Sequence, residues 1–154
     1  MLENSPILSI LAGSLVVFSL VILGYFGWKT LITSDLFQKG INLAQAKDYE
    51  GAEAAFRKVI SLNSTNDVVR LFLGDVLNQK GQVEEAKELF CEVIRRSPKN
   101  PDAYLRLANI FMQENKPEEA KSNLLQAKEL LQKQRQPEKA AKIAQLLEKI
   151  NAKS

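Results

Sequence analysis

Residues 73–98 read LGDVLNQKGQVEEAKELFCEVIRRSP. Leu73, Gly74 and Leu77 belong to one run with apolar or small residues every three or four positions. Gly81 interrupts it, and Ala86, Phe90 and Val93 carry a second run that Pro98 ends. A 3.6-residue periodicity makes two amphipathic helices. Glycine accepts the left-handed backbone of the turn between them, and proline cannot extend the hydrogen-bond ladder of the second helix. Gly74 and Ala86 are small enough to let the two helices approach closely, leaving Phe90 to fill the space between one pair and the next.

The same arrangement recurs on either side. Gly40, Gly74 and Ala108 lie 34 residues apart, as do Ala52, Ala86 and Ala120, and Phe56, Phe90 and Leu124. A fixed period of this length over helical sequence marks the tetratricopeptide repeat. Its helix pairs cannot bury their apolar faces alone, so they stack into a solenoid with a protein-binding concave side. The chain is therefore read as all-α, with three repeats at 33–66, 67–100 and 101–134 packed through Gly40, Ala52, Phe56, Gly74, Ala86, Phe90, Ala108, Ala120 and Leu124. In the first repeat, Thr33 or Ser34 is placed to cap a helix through Leu36, Phe37, Gly40, Ile41 and Leu43. In the third, Asn115 stands for the turn glycine and Gln132 for the closing proline, so the last helix extends towards Gln134. Pro137 opens a capping helix, 137–151, with Ala140, Ile143, Ala144, Leu147 and Ile150 on one face and Lys139, Lys142 and Lys149 on the other.

Ahead of the repeats, Ile7 to Trp28 contains no charged residue. A helix of that length rises about 33 Å, sufficient to cross a hydrocarbon core of about 30 Å. The start carries Glu3 and no Lys or Arg, and the run ends in Tyr25, Phe26 and Trp28 beside Lys29. That is an interfacial aromatic belt with a cation, not the basic start and small-residue cleavage site of a signal peptide. Residues 1–6 form a short tail, and 7–28 a single-span transmembrane anchor. Lys29, Lys39 and Lys47 follow the span and none precede it. The N-terminus is accordingly expected outside or in a lumen, with the repeats cytoplasmic or stromal. Ser9 and Gly13 add a small-xxx-small pair that permits close packing of membrane helices.

No catalytic constellation is present. The chain has no histidine and one cysteine, Cys91, which leaves no metal cluster, no internal disulfide and no activated thiolate. The glycines are scattered, without a phosphate-cradling loop. Glu84-Glu85 and Glu118-Glu119 fall in first turns of helices, where the helix dipole favours acid. No cofactor is expected, and no nucleic-acid partner, since basic residues are not interleaved with aromatics. Net charge is +3. Residues 121–153 carry 8 Lys and Arg against 3 acids, a basic end open to two readings, a solvated face of the last helix or a contact with anionic lipid. The expected partners are proteins.

By the period, the first helix of each repeat supplies the groove: Phe37, Ile41 and Ala44; Val68, Leu71, Asp75 and Asn78; Asp102, Leu105, Asn109 and Met112. Apolar members of this set either meet a partner segment or pack inward, and periodicity alone leaves both open. Repeats that clamp the acidic tail of cytosolic heat-shock chaperones place Lys, Asn and Arg here. At the matching positions stand Phe37, Ile41, Phe72, Asp102 and Arg106, and only Arg106 fits.

One apolar span, a very short link, three repeats and a basic last helix resemble the small anchored assembly factors of photosystem I in cyanobacteria and algal plastids. The resemblance implies a thylakoid protein that holds photosystem I subunits during assembly, with no enzyme activity and no pigment of its own. Its motifs, from Gly40 to Ala120, identify the repeat rather than the client. A receptor in translocation or envelope biogenesis, and a non-catalytic subunit of a membrane enzyme, are the other readings of this layout.

Overall fold

The computed structural model describes residues 6–152, and the described residues form seven helices without a strand. These are α1 (Pro6–Gln45), α2 (Tyr49–Leu62), α3 (Asp67–Gln79), α4 (Val83–Arg96), α5 (Pro101–Gln113), α6 (Pro117–Lys133) and α7 (Pro137–Asn151). Residues 1–5 of the expected tail, and Lys153 of the basic end, lie outside the described residues.

Connections of three or four residues force each helix to run antiparallel to the one before it, and every consecutive pair packs together. The tightest approach within a repeat is glycine against phenylalanine. A Cβ built on Gly40 would stand 2.5 Å from the Phe56 ring, and one on Gly74 would collide with Phe90 in the same way. Phe56 and Phe90 are fully buried, and burying each contributes about 1.5–3 kcal/mol. The third repeat fills the same space differently. Ala108 adds a methyl group where the others have hydrogen, and Leu124 replaces the ring; both are buried in one cluster with Ala127, Leu131 and the apolar face of α7. Size is exchanged across the contact so that volume is kept.

The turns confirm the pattern and extend it. Gly81 has φ of +79°, and Lys47 and Asn115, each one period away, also sit in the left-handed region at 62° and 58°. In each case the next residue donates back to the helix, as Gln82 does to Leu77 at 2.9 Å and Lys116 to Phe111 at 2.8 Å. This closes the free carbonyls at the helix end. Glycine suits the site without penalty, whereas Lys47 adopts it at a cost of roughly 1 kcal/mol.

One expectation fails. Thr33 and Ser34 cap nothing, because α1 is continuous from the apolar stretch into the first repeat. The Thr33 hydroxyl donates instead to the carbonyls of Lys29 and Thr30, at 3.0 and 2.9 Å. No residue between Trp28 and Leu36 stops a helix: there is no proline or glycine, and the Thr30 and Thr33 hydroxyls donate back to their own turns. The short link read from the sequence is thus helix, and the described α1 is about 60 Å long. Its N-terminal half packs against nothing among the described residues, with Leu15, Phe18, Leu20 and Leu23 all largely exposed. It is long and apolar enough to span a membrane.

Register between repeats is set by charge. Glu53 on α2 accepts from Lys80 at the end of α3 (2.7 Å). One period later the signs are exchanged, and Lys87 on α4 donates to Glu114 at the end of α5 (2.5 Å). Glu53 also meets Arg57 and Glu114 also meets Lys116 locally, but the contact across repeats is specific to the correct neighbour: a slip by one repeat would set Glu53 against Glu114. The hydrogen bond from Lys80 holds Glu53 below its ordinary value, against the opposing effect of burial, and the bond to Glu53 raises Lys80. A lowered carboxylate stabilises the fold above its unfolded pKa and loses that contribution as pH falls through the folded one. A raised lysine stabilises below its unfolded pKa and loses that contribution as pH rises through the folded one.

Two outcomes follow for the full chain in detergent. Leu124→Phe alone overfills the third repeat and lowers unfolding free energy by about 1–3 kcal/mol, whereas adding Ala108→Gly restores most of the loss; denaturant unfolding of the four members of the cycle measures it. The denaturation midpoint of the parent falls as pH drops below the ordinary carboxylate value of 4.5, and Lys80→Met flattens that fall.

Candidate functional site

The first helices face one another. Among the described residues, α1 approaches α3 and α3 approaches α5, whereas the second helices α2, α4 and α6 do not come together. Only long side chains bridge them, as Arg57 reaches Glu85 at 2.5 Å. An array in which first helices touch and second helices stand apart is curved with α1, α3 and α5 on its inner side. Caps fix where these helices begin. The Asn66 side chain accepts from the Val69 amide at 3.2 Å and that of Asn100 from the Asp102 amide at 2.9 Å, with Pro101 in the first turn of α5.

The inner side is less apolar than the sequence suggests, because one groove position turns inward throughout. Phe37, Leu71 and Leu105 are period-related. Phe37 stacks against Phe56 and Phe72 with ring centroids 5.9 and 5.4 Å apart; Leu71 is 3% exposed; Leu105 packs on the second core cluster. Leu71 is core, not groove. Ile41 and Ala44 are half-buried against the first cluster. Exposure then rises along the array: Asp75 and Asn78 are half-buried, while Val68, Asn109 and Met112 are open to solvent. The surface a client could reach is therefore concentrated on α3 and α5.

Two side-chain bridges span those helices. The Arg106 Nε lies 2.9 Å from both Asp75 carboxylate oxygens, and its Nη1 donates to the Asp102 carbonyl at 3.4 Å. Further along, the Asn78 amide donates to Gln113 at 3.3 Å. Burial pushes the Asp75 carboxyl above its ordinary range and Arg106 opposes it. The one cation that matched a carboxylate clamp is thus already committed within the molecule. What remains on offer is amide, thioether and aliphatic surface at Val68, Asn109 and Met112, suited to an extended or helical peptide segment.

Periodicity missed the fastening of the second repeat. Arg70 is buried and donates to Glu92 (3.0 Å) and to the carbonyls of Ser64 (2.6 Å) and Asn66 (3.3 Å). Asp67 accepts from Arg96 and from the Ser97 hydroxyl at 2.8 and 2.6 Å. These residues occur in one repeat only, so no recurrence announces them. Cys91 is exposed on α4.

A family model described as tetratricopeptide repeat matches residues 43–90 and again 81–150. None of the curated proteins compared matches the chain. Among solved structures, the type III secretion chaperone SycD of Yersinia enterocolitica, in complex with a peptide of the translocator YopD, is 26% identical. The match covers 78% of this chain and 92% of that one, with a TM-score of 0.69. PcrH from Pseudomonas aeruginosa is 22% identical over 77% and 91% of the two chains (TM-score 0.70). The TPR domain of Arabidopsis OM64 is 19% identical over 79% and 98% (TM-score 0.63). The last two show likeness of fold.

Replacing Arg106 tests the groove electrostatics. In Arg106→Leu the Asp75 carboxyl loses the cation that opposes its burial, so its pKa moves further up. Carboxyl carbon shifts followed by NMR against pH measure the direction, and a downward move would contradict this account of the pair.

Proposed function

Because this chain belongs to the tetratricopeptide repeat family, we propose that it is a membrane-tethered scaffold that holds a segment of a protein client on the inner face of α3 and α5. The observation that carries this reading is α1, one uninterrupted helix that is apolar and uncovered in its first half and is the first repeat helix in its second. Such a helix confines the groove to a thin layer over a bilayer. Client segments next to the membrane are then met at high effective concentration, and modest affinity suffices. The cations after the span support an N-terminus outside or lumenal and repeats on the cytoplasmic or stromal side. The protein acts by binding, not by catalysis.

The finer reading takes the client to be subunits of photosystem I during their assembly, at the thylakoid membrane. Its support is the shared layout: one span, three repeats and a basic last helix. A second reading draws on the Yersinia chaperone, which was solved with a translocator peptide. By that likeness the client is a protein segment on its way to translocation, held until it is handed on.

Mild solubilisation and affinity capture of the full chain separate the two. Photosystem I subunits are the expected co-purifying proteins. Their absence, with normal photosystem levels in a deletion strain, removes the finer reading and leaves the scaffold. Val68→Glu combined with Met112→Glu places charge on the open part of the groove and weakens client recovery by about tenfold, the equivalent of 1.4 kcal/mol. The melting temperature stays within a few degrees, since both side chains are solvent-facing in the free protein.

A further inference from the structure

The three connections that follow second helices lie on one edge of the array, and that edge adjoins the aromatic end of the apolar stretch. Ser61 and Leu62, at the end of α2, line a cleft of about 320 Å³ with Tyr25, Trp28, Lys29 and Ile32 of α1. The α2–α3 connection is therefore level with the aromatic belt. Asp67, next to it, is tied to Arg96 and Ser97 at the end of α4. The Gln134 side chain, in the α6–α7 connection, donates to the Lys99 carbonyl in the α4–α5 connection at 2.6 Å. A chain of contacts thus sets all three connections side by side.

Charge divides the two edges. On this one, Lys58, Arg95, Lys99, Arg135 and Lys139 are exposed and enter no ion pair among the described residues. Of the acids there, Asp67 and Glu129 are taken up by Arg96 and Lys133, while Asp102 and Glu138 are exposed, so the uncommitted cations remain in excess. The opposite edge is mixed: Asp48, Glu50, Glu84, Glu118 and Glu119 are exposed there, Glu50, Glu84 and Glu118 pair with Lys80, Lys87 and Lys121, and Lys47 and Lys116 are exposed beside them. Dipole preferences account for acid at helix starts and base at helix ends. They do not account for which edge lies beside the span, and here the chain direction of α1 decides that it is the basic one.

We infer that this edge docks on the anionic headgroups of the bilayer that α1 crosses, holding the array upright with its groove opening sideways along the membrane. The inference rests on the membrane-tethered reading of α1. Continuity of α1 brings the edge to the surface, and the uncommitted cations complement anionic lipid there. It involves α2, α4 and α6 as well as the basic last helix, so it is a property of the stacked fold.

The test uses the full chain with Cys91→Ser, reconstituted in vesicles of phosphatidylcholine with or without phosphatidylglycerol. Single fluorophores are carried at Gln132→Cys, on the basic edge, or at Gln82→Cys, on the opposite edge. Trp28 is the only tryptophan, and its quenching by lipids brominated in the acyl chain reports insertion of α1 independently of docking. The expected result is quenching of the Gln132 probe by a headgroup-linked quencher in anionic vesicles but not in neutral ones, with the Gln82 probe unaffected. High salt, and separately Lys99→Glu with Arg135→Glu and Lys139→Glu, abolish that signal and leave Trp28 quenched. If Trp28 is quenched while the Gln132 probe is not, docking is overturned and the anchor stands; an acidic protein partner for this edge predicts that outcome. Equal signals from both probes, or equal signals in neutral vesicles, overturn the charged edge as the cause. If Trp28 is not quenched, the tethered reading falls and docking falls with it.

Discussion

Everything in this molecule depends on how closely two helices can approach at Gly40, Gly74 and Ala108. Where a Cβ is absent, a phenylalanine ring fills the gap it leaves; where a methyl group is present, a leucine takes the ring's place. That contact sets the separation of the helices within each repeat. The separation in turn leaves the first helices free to meet their counterparts in the next repeat.

Apolar packing of this kind is nearly blind to register, because each repeat offers similar small and large residues at the same places. Charge supplies what packing lacks. Glu53 with Lys80, and Lys87 with Glu114, occupy the same positions with exchanged signs. The correct neighbour is rewarded and a neighbour one period away is opposed. These pairs are largely shielded from water, so they discriminate better than the exposed pairs within single helices, such as Glu129 with Lys133. The buried Arg70 adds a fixed point in the middle of the array, where it ties the α2–α3 connection to α4.

Continuity of α1 joins two segments that the sequence presents as separate, the apolar stretch and the first repeat helix. An apolar helix and a repeat helix joined by a flexible link would leave the groove free to face any direction. Joined as one helix, with hydroxyls at Thr30 and Thr33 satisfied by their own turns, they give the array a fixed orientation relative to the span. Open groove residues collect on α3 and α5, away from the crowded first repeat where Phe37 and Ile41 are absorbed by packing. The open groove residues, the apolar stretch and the basic edge thereby occupy three different sides of one small fold.

The repeat architecture, the long apolar helix, the turn glycine and the last helix were all legible in the amino-acid sequence, because each is a matter of local periodicity or backbone chemistry. Gly81, Phe90 and Pro98 act through their own neighbours and need no tertiary partner to be understood. Which groove positions are open was not legible. Leu71 and Val68 are both apolar and three residues apart, and only the placement of α2 and α4 buries one and leaves the other in water. The commitment of Arg106 to Asp75 was hidden for the same reason, since the two lie on different helices in different repeats. Absence of a break at Thr33 depended on a balance between hydroxyl capping and helix propagation that local sequence leaves even. Tertiary structure decided what sits across from what, as contacts between helices depend on stacking geometry that no single helix encodes.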